Sequence, residues 1–142
     1  MVPFPGIPVT VQSSHVDMFG HVNHTCYLEF MEWCRFAWAD HHGFPIPEMI
    51  SKARMAPAIL RVQIQFRREC RYGDQLRVTA EAVSARRGIG RIKQEIFRVR
   101  EGQEELVSDA ELTFVMLNLD TRTALDLPGE FLGLLGGSTA QA

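Results

Sequence analysis

Asp17 is the residue of this 142-residue chain best placed to do chemistry. It stands three residues ahead of Gly20 in the polar, turn-prone stretch His15-Val16-Asp17-Met18-Phe19-Gly20-His21-Val22-Asn23-His24, and a helical pattern begins about seven residues after it. If that helix starts near His24 or Thr25, its first amide N–H groups lack intrahelical partners and lie at the positive end of the helix dipole. Such an end can hold a developing oxyanion. A carboxylate delivered beside it can act as base or nucleophile. An acyl carbonyl polarised by the helix end and attacked beside Asp17 is therefore a self-consistent hydrolytic site. The plainer role for an Asp ahead of a helix is a cap or a turn closure, and spacing alone favours it.

The elements that must hold this stretch can be read on either side of it. Residues 1–8 carry three of the seven prolines and read as an extended arm, and residues 9–14 alternate like a strand. From about Thr25 to His41 the pattern is helical, ending at Gly43 and Pro45. Most of that helix's circumference is apolar, including Trp33 and Trp38, which read as core, and only Glu29, Glu32 and Asp40 form a polar wedge, with Arg35 at its edge. A helix of that kind has to be wrapped, and the second half of the chain supplies a curved sheet. Leu60, Val62, Ile64 and Phe66 alternate with polar residues, and further alternating runs lie near 76–82, 90–100 and 105–119, separated by short turns that favour antiparallel pairing. The last run looks buried on both faces. Residues 128–135 carry a short helical pattern, and residues 136–142 read as a flexible tail. The expected architecture is α+β: a single domain with a long central helix wrapped by five to six antiparallel strands.

Composition narrows the function. The basic and acidic residues nearly cancel, at a formal net charge of −2, which excludes an electrostatic nucleic-acid binder. No apolar run approaches the ~18–20 residues that span a bilayer, and the first residues lack the basic and apolar regions of a signal peptide. The three cysteines, Cys26, Cys34 and Cys70, are an odd count without metal spacing. The expectation is a reduced, cytoplasmic domain without a metal. A zinc site at His21, His24 and Cys26 would draw its ligands from one short loop with no second cluster to complete it.

The run Asp17-Met18-Phe19-Gly20-His21-Val22-Asn23-His24-Thr25-Cys26-Tyr27-Leu28-Glu29-Phe30, followed by Glu32 and Arg35, resembles the signature of the hotdog-fold acyl-CoA thioesterases, in particular the 4-hydroxybenzoyl-CoA thioesterase type. That pattern runs Asp, two residues, Gly, a short stretch with Asn, then Tyr opening the central helix. The similarity covers roughly residues 8–133. It implies hydrolysis of acyl-CoA to a free acid and CoA with no cofactor, in a homodimer or homotetramer whose sites lie between subunits. By the same resemblance Asp17 is the catalytic carboxylate, the backbone amide of His24 polarises the carbonyl, and Gly20 lets the turn approach the substrate. Tyr27 lies near the acyl pocket, and Arg86 and Arg87 contact CoA phosphates. His21 and Asn23 are further substrate-binding positions, since the plant acyl-carrier-protein relatives use a histidine and an asparagine here. Two other readings stand beside this one: a thioesterase acting on acyl-carrier-protein, and a hotdog module that binds acyl-CoA without cleaving it. Retention of Asp17 beside the helix end speaks against the second.

Overall fold

The computed structural model describes residues 3–135; the tail expected at 136–142 and the first two residues of the arm lie outside the described residues. The elements in order are strand β1 (Ile7–Thr10), a short 3-10 turn at Ser13–His15, helix α1 (His24–His41), helix α2 (Ile46–Lys52), and strands β2 (Met55–Phe66), β3 (Gln75–Arg86), β4 (Ile89–Arg100) and β5 (Gln103–Asn118). A two-residue strand β6 (Ala124–Leu125) and helix α3 (Gly129–Gly133) follow. The strands form one six-stranded sheet in the order β1-β3-β4-β5-β2, with β6 paired to β5. β1 runs antiparallel to β3, with Ile7 opposite Val78 and Thr10 opposite Gln75, and β6 runs antiparallel to β5. At one end of β5 the Leu119 N–H bonds the Arg54 carbonyl, and at the other the Arg67 and Arg68 N–H groups bond the Val107 carbonyl, so β2 is antiparallel too. The β3–β4 and β4–β5 hairpins turn on Arg87-Gly88 and Glu101-Gly102, all four with positive φ. That is the type I′ geometry whose twist matches paired strands. The fold class is α+β, as expected.

The first strand differs from the expectation: it begins at Ile7, inside the presumed arm, and ends at Thr10. Gly6 adopts φ +85° and lies so close to β3 that a Cβ there would sit 2.6 Å from the Val78 carbonyl oxygen, so the chain joins the sheet immediately after it. Beyond Thr10, the Gln12 N–H donates to His15 Nδ1 and closes the 3-10 turn instead of extending the strand. Helix α2 was not expected. Pro45 does end the α1 region, but with Pro47 it also starts α2, where a missing proline N–H costs nothing.

The chain divides into two compact units, each holding part of α1 and of β2–β5. In the first (Met1–Arg35, Ile64–Ala80, Gln94–Ala110), Phe30, Met31 and Cys34 of α1 are fully buried. The Cys34 thiol donates to the Val78 carbonyl at 3.3 Å, and the buried Gln94 amide donates to the Met31 carbonyl at 3.0 Å. Arg35 in turn donates to Gln94 Oε1 at 2.9 Å. This buried polar chain is satisfied at each link, so it fixes α1 against β3 and β4 at little cost. In the second unit (Phe36–Gln63, Glu81–Lys93, Glu111–Ala142), α1 ends in a Schellman motif. Gly43, at φ +87°, donates to the Asp40 carbonyl and Phe44 to the Ala39 carbonyl, while the Phe44 ring meets Trp38 edge-on. Trp38 also contacts Phe131 of α3, which contacts Phe114 of β5.

One expected core position, Trp33, is not core, and two further apolar residues of α1 are exposed with it. Leu28, Trp33 and Phe36 of α1 are all exposed, although Trp38 is buried. Leu60, Val62 and Phe66 of β2 keep their alternation but are exposed as well, and no residue of this strand is fully buried. β2 is an end strand of the sheet, with no strand on its outer side among the described residues. The apolar pattern read from the sequence is real; this chain alone does not cover it.

Candidate active site

Asp17 opens a tight reversal. Its N–H donates to the His21 carbonyl at 3.0 Å, and the Gly20 N–H donates back to the Asp17 carbonyl at 3.0 Å. Gly20 takes φ +82°, and a Cβ there would meet nothing within 4 Å, so the glycine is needed for its backbone angle rather than for space. Asp at the first and Gly at the fourth position is the common chemistry of such a turn. Asp17 Oδ1 accepts the Phe19 N–H at 2.9 Å, so the plainer turn-closing role is realised by one oxygen. The other oxygen has no hydrogen-bond partner among the described residues, and the residue is half-buried. Met18 and Phe19, next in the chain, are 92% and 75% exposed.

The return arm is pinned to its surroundings. Val22 forms a bridge with Val16 and donates its N–H to the Cys70 carbonyl at 2.8 Å, while the Asn23 N–H donates to the His15 carbonyl at 2.8 Å. Asn23 then caps α1. Its Oδ1 accepts the Thr25 N–H at 3.0 Å and the Thr25 hydroxyl at 2.9 Å, and its carbonyl accepts the Cys26 N–H at 2.9 Å. The amide left over is that of His24, the first helical residue, which has no acceptor among the described residues. The expected helix-end donor and the expected carboxylate thus belong to one eight-residue loop.

A second segment, not singled out from the sequence, borders this loop. Glu69 accepts from His21, with Nε2 and Oε2 2.6 Å apart, and holds Arg71 at 2.9 Å on its other oxygen. The Tyr27 hydroxyl donates to the Arg68 carbonyl at 3.1 Å, and its ring stacks on Phe66 at 5.4 Å between centroids. Phe66 also meets the His24 ring edge-on at 6.1 Å. Tyr27 is buried and its phenol is held well above its ordinary pKa, first by desolvation and then by Cys70, so it acts as a neutral donor. The Arg67-Arg68-Glu69-Cys70-Arg71 run, charged on either side of one buried cysteine, was the available sequence signal.

The remaining candidates are placed elsewhere. Arg86 and Arg87 are exposed in the second unit, at the β3–β4 turn, where they line a cavity of about 150 Å³ with Asp126, Leu127 and Leu132. The Cys26 thiol donates weakly to the His15 carbonyl at 3.7 Å, and burial followed by Glu29 raises its pKa, so it stays protonated and is a poor nucleophile. Among the described residues no group of three or more His, Cys, Asp or Glu is placed to hold a metal ion.

Two measurements check these placements. Asn23→Ala leaves the Thr25 amide without its cap and should destabilise the protein by about 1 kcal/mol in denaturant unfolding, with Asn23→Asp costing much less. Asp74 anchors the Arg68–Arg71 segment. Burial opposes its charge, but the Arg71 N–H at 2.9 Å, Arg100 and Arg98 outweigh this and hold its carboxyl below the usual carboxylate range. A depressed folded pKa stabilises above the unfolded value of 3.8, and that stability is lost as the pH falls through the folded value. Asp74→Asn should therefore cost about 1–3 kcal/mol at pH 7. The gap from wild type should shrink as the pH falls below that unfolded value, read from unfolding curves across the acid range.

With the geometry in hand, relatives can be placed beside it. The chain matches the model of the thioesterase-like superfamily over residues 11–135. It is 32% identical over 122 residues, 86% of this chain and 89% of the other, to the long-chain acyl-CoA thioesterase FadM of Escherichia coli (strain K12). Among solved structures it resembles YbaW, a probable thioesterase from Escherichia coli, with a TM-score of 0.75, 29% identity and 93% and 96% of the two chains covered. It also resembles Slr0204, a 1,4-dihydroxy-2-naphthoyl-CoA thioesterase from Synechocystis, with a TM-score of 0.80, 20% identity and 91% and 93% covered. The long helix, the six-stranded antiparallel sheet and these matches agree: the chain belongs to the thioesterase-like superfamily of hotdog-fold thioester hydrolases.

Proposed function

We propose that this protein hydrolyses acyl-CoA, using Asp17 and the amide of His24, in a single domain of a cytoplasmic homo-oligomer whose sites lie between two copies. The observation that carries the reading is the loop in which one oxygen of Asp17 is fixed by Phe19 while the His24 amide, without an acceptor among the described residues, opens the helix seven residues after Asp17. The fixed oxygen sets the side chain's direction, and the other is available for chemistry. The His24 N–H has no competing acceptor among the described residues, so a thioester carbonyl can take it, and the charge that grows on that oxygen as the carbon turns tetrahedral is stabilised there. Asp17 either attacks the carbonyl carbon or takes a proton from the attacking water. On both routes water supplies the new oxygen, the C–S bond breaks, and the CoA sulfur leaves with the electron pair and regains a proton. FadM's acyl-CoA activity supports the substrate class.

The supporting groups follow from the same loop. His21, bonded to Glu69, holds the carbonyl that fixes the Asp17 backbone, so it positions the catalytic carboxylate. Asn23 sets the helix start through its cap, and Tyr27 with Phe66 offers an aromatic wall to the acyl group. Arg86 and Arg87 carry the phosphate role by resemblance alone. The oligomer is supported by what one chain leaves bare: the exposed edge strand β2, the exposed Trp33 and Phe36, and Met18 and Phe19 flanking Asp17. A long apolar edge strand is a template for pairing with another strand, and a second copy supplies one. The free, buried cysteines suit a reducing compartment.

The test is Asp17→Asn. Asparagine keeps an oxygen for the Phe19 N–H, so the loop and the melting temperature should hold. Release of CoA from acyl-CoA, followed with a thiol reagent, should fall by about 10²–10⁴-fold. Turnover near that of wild type would remove Asp17 from the mechanism.

A further inference from the structure

The site loop is bonded to a segment that no role above absorbs. Arg67, Arg68, Glu69 and Arg71, with Arg98 and Arg100 of β4, line a cavity of about 470 Å³. Arg98 and Arg100 also line an adjoining cavity of about 370 Å³ beside Gln103 and Glu104. The guanidiniums are held by carboxylates, of which Glu69 lines the cavity and Glu105 the adjoining one. Arg68 pairs with Glu105 at 3.0 Å, Arg71 with Glu69 at 2.9 Å, Arg100 with Asp74 at 3.3 Å, and Arg67 with Asp109. Each of these pairs occupies one or two of the five N–H donors of an arginine, which orients the fork and leaves the rest available. The wall of the 470 Å³ cavity itself carries five arginines and one carboxylate, Glu69, so it presents positive charge to an entering anion.

Arg98 supplies an independent sign of a ligand. Its side chain is only 11% exposed; one terminal nitrogen donates to the Glu69 carbonyl at 2.8 Å and the other meets Glu105. Its Nε–H is buried and has no acceptor among the described residues. A buried donor left unmatched on a cation is costly, and it leaves the Arg98 guanidinium less than fully neutralised at the cavity wall. We infer that this arginine cradle binds the phosphate groups of the CoA moiety, holding the nucleotide end of the substrate while the thioester lies at His24 and Asp17. The inference rests on the acyl-CoA reading, and the link to the Asp17 loop is short and made of direct non-covalent contacts. Glu69 bonds His21 of the catalytic loop, Cys70 accepts the Val22 N–H, and Phe66, one residue before Arg67, touches the ring of His24. Phosphate oxygens present several acceptors in the geometry that guanidinium forks match. The site uses neither Arg86 nor Arg87.

The test changes the two exposed arginines that face the cavity from the loop, Arg68→Gln with Arg71→Gln, so that folding is not at risk from Arg98. Binding of CoA and of 3′,5′-ADP is measured by calorimetry on wild type and double variant. Hydrolysis is compared for an acyl-CoA and for the same acyl group on pantetheine, which lacks the nucleotide. The cradle predicts that the double variant binds CoA and 3′,5′-ADP at least about tenfold more weakly. It also predicts a KM for acyl-CoA raised by a similar factor, with acyl-pantetheine hydrolysis changed less than about twofold. Unchanged CoA binding, or an equal loss on both thioesters, overturns the cradle. Wild type that binds CoA through these arginines but hydrolyses neither thioester keeps the cradle and overturns the hydrolase reading instead.

Discussion

The structure turns on how the first amides of α1 are shared out. Asn23 satisfies Thr25 with its side chain and Cys26 with its carbonyl, and the amide of His24 is left without an acceptor among the described residues. A cap that left none would make the helix end inert. A helix with no cap would lose the fixed start that aims the free amide. The same residue donates its own N–H to His15, so the cap also ties the loop carrying Asp17 to the end of the preceding 3-10 turn. Helix start and carboxylate are therefore set by one network of short-range bonds, and they move together or not at all.

That network extends outward through residues 66–74. The Cys70 carbonyl takes the Val22 N–H, the Arg68 carbonyl takes the Tyr27 hydroxyl, and Glu69 takes His21. Asp74 stabilises the same segment from within. A substrate carrying phosphates at one end and a thioester at the other needs two sites at a fixed separation. On the proposed reading, one continuous segment bonded to the Asp17 loop provides that with few moving parts. The fully buried Gln94, which accepts from Arg35 and donates to Met31, anchors α1 beneath it. The positioning of the site is thus a property of packing well inside the unit as well as of the loop.

Much of this was legible in the sequence because it is local. Asp17 and Gly20 declare a turn by type and spacing, Asn23 precedes an apolar helical run, and period-two alternation marks β2 to β5. The Asp17-to-Phe30 resemblance led to the right fold and family. What stayed hidden depends on contacts distant in sequence. The strand start at Ile7 depends on the close approach of Gly6 to Val78, and the start of α2 on prolines that also read as stops. The exposure of Trp33, Phe36 and Leu60 was missed because periodicity reports that a face is apolar, not which molecule covers it. Glu69 and Arg98 were missed for the same reason: an ionic pair joining residues 21 and 69 leaves no local pattern.

The central claim is that the His24 amide polarises a thioester carbonyl beside Asp17. It is read most directly from the carbonyl stretch of a ¹³C-labelled acyl-CoA bound to the slowed Asp17→Asn protein, by isotope-edited infrared difference spectroscopy. The account predicts a band shifted to lower frequency than that of the free thioester, as expected when a helix-end N–H draws charge onto the oxygen. A bound carbonyl with the frequency of the free thioester in water would contradict it.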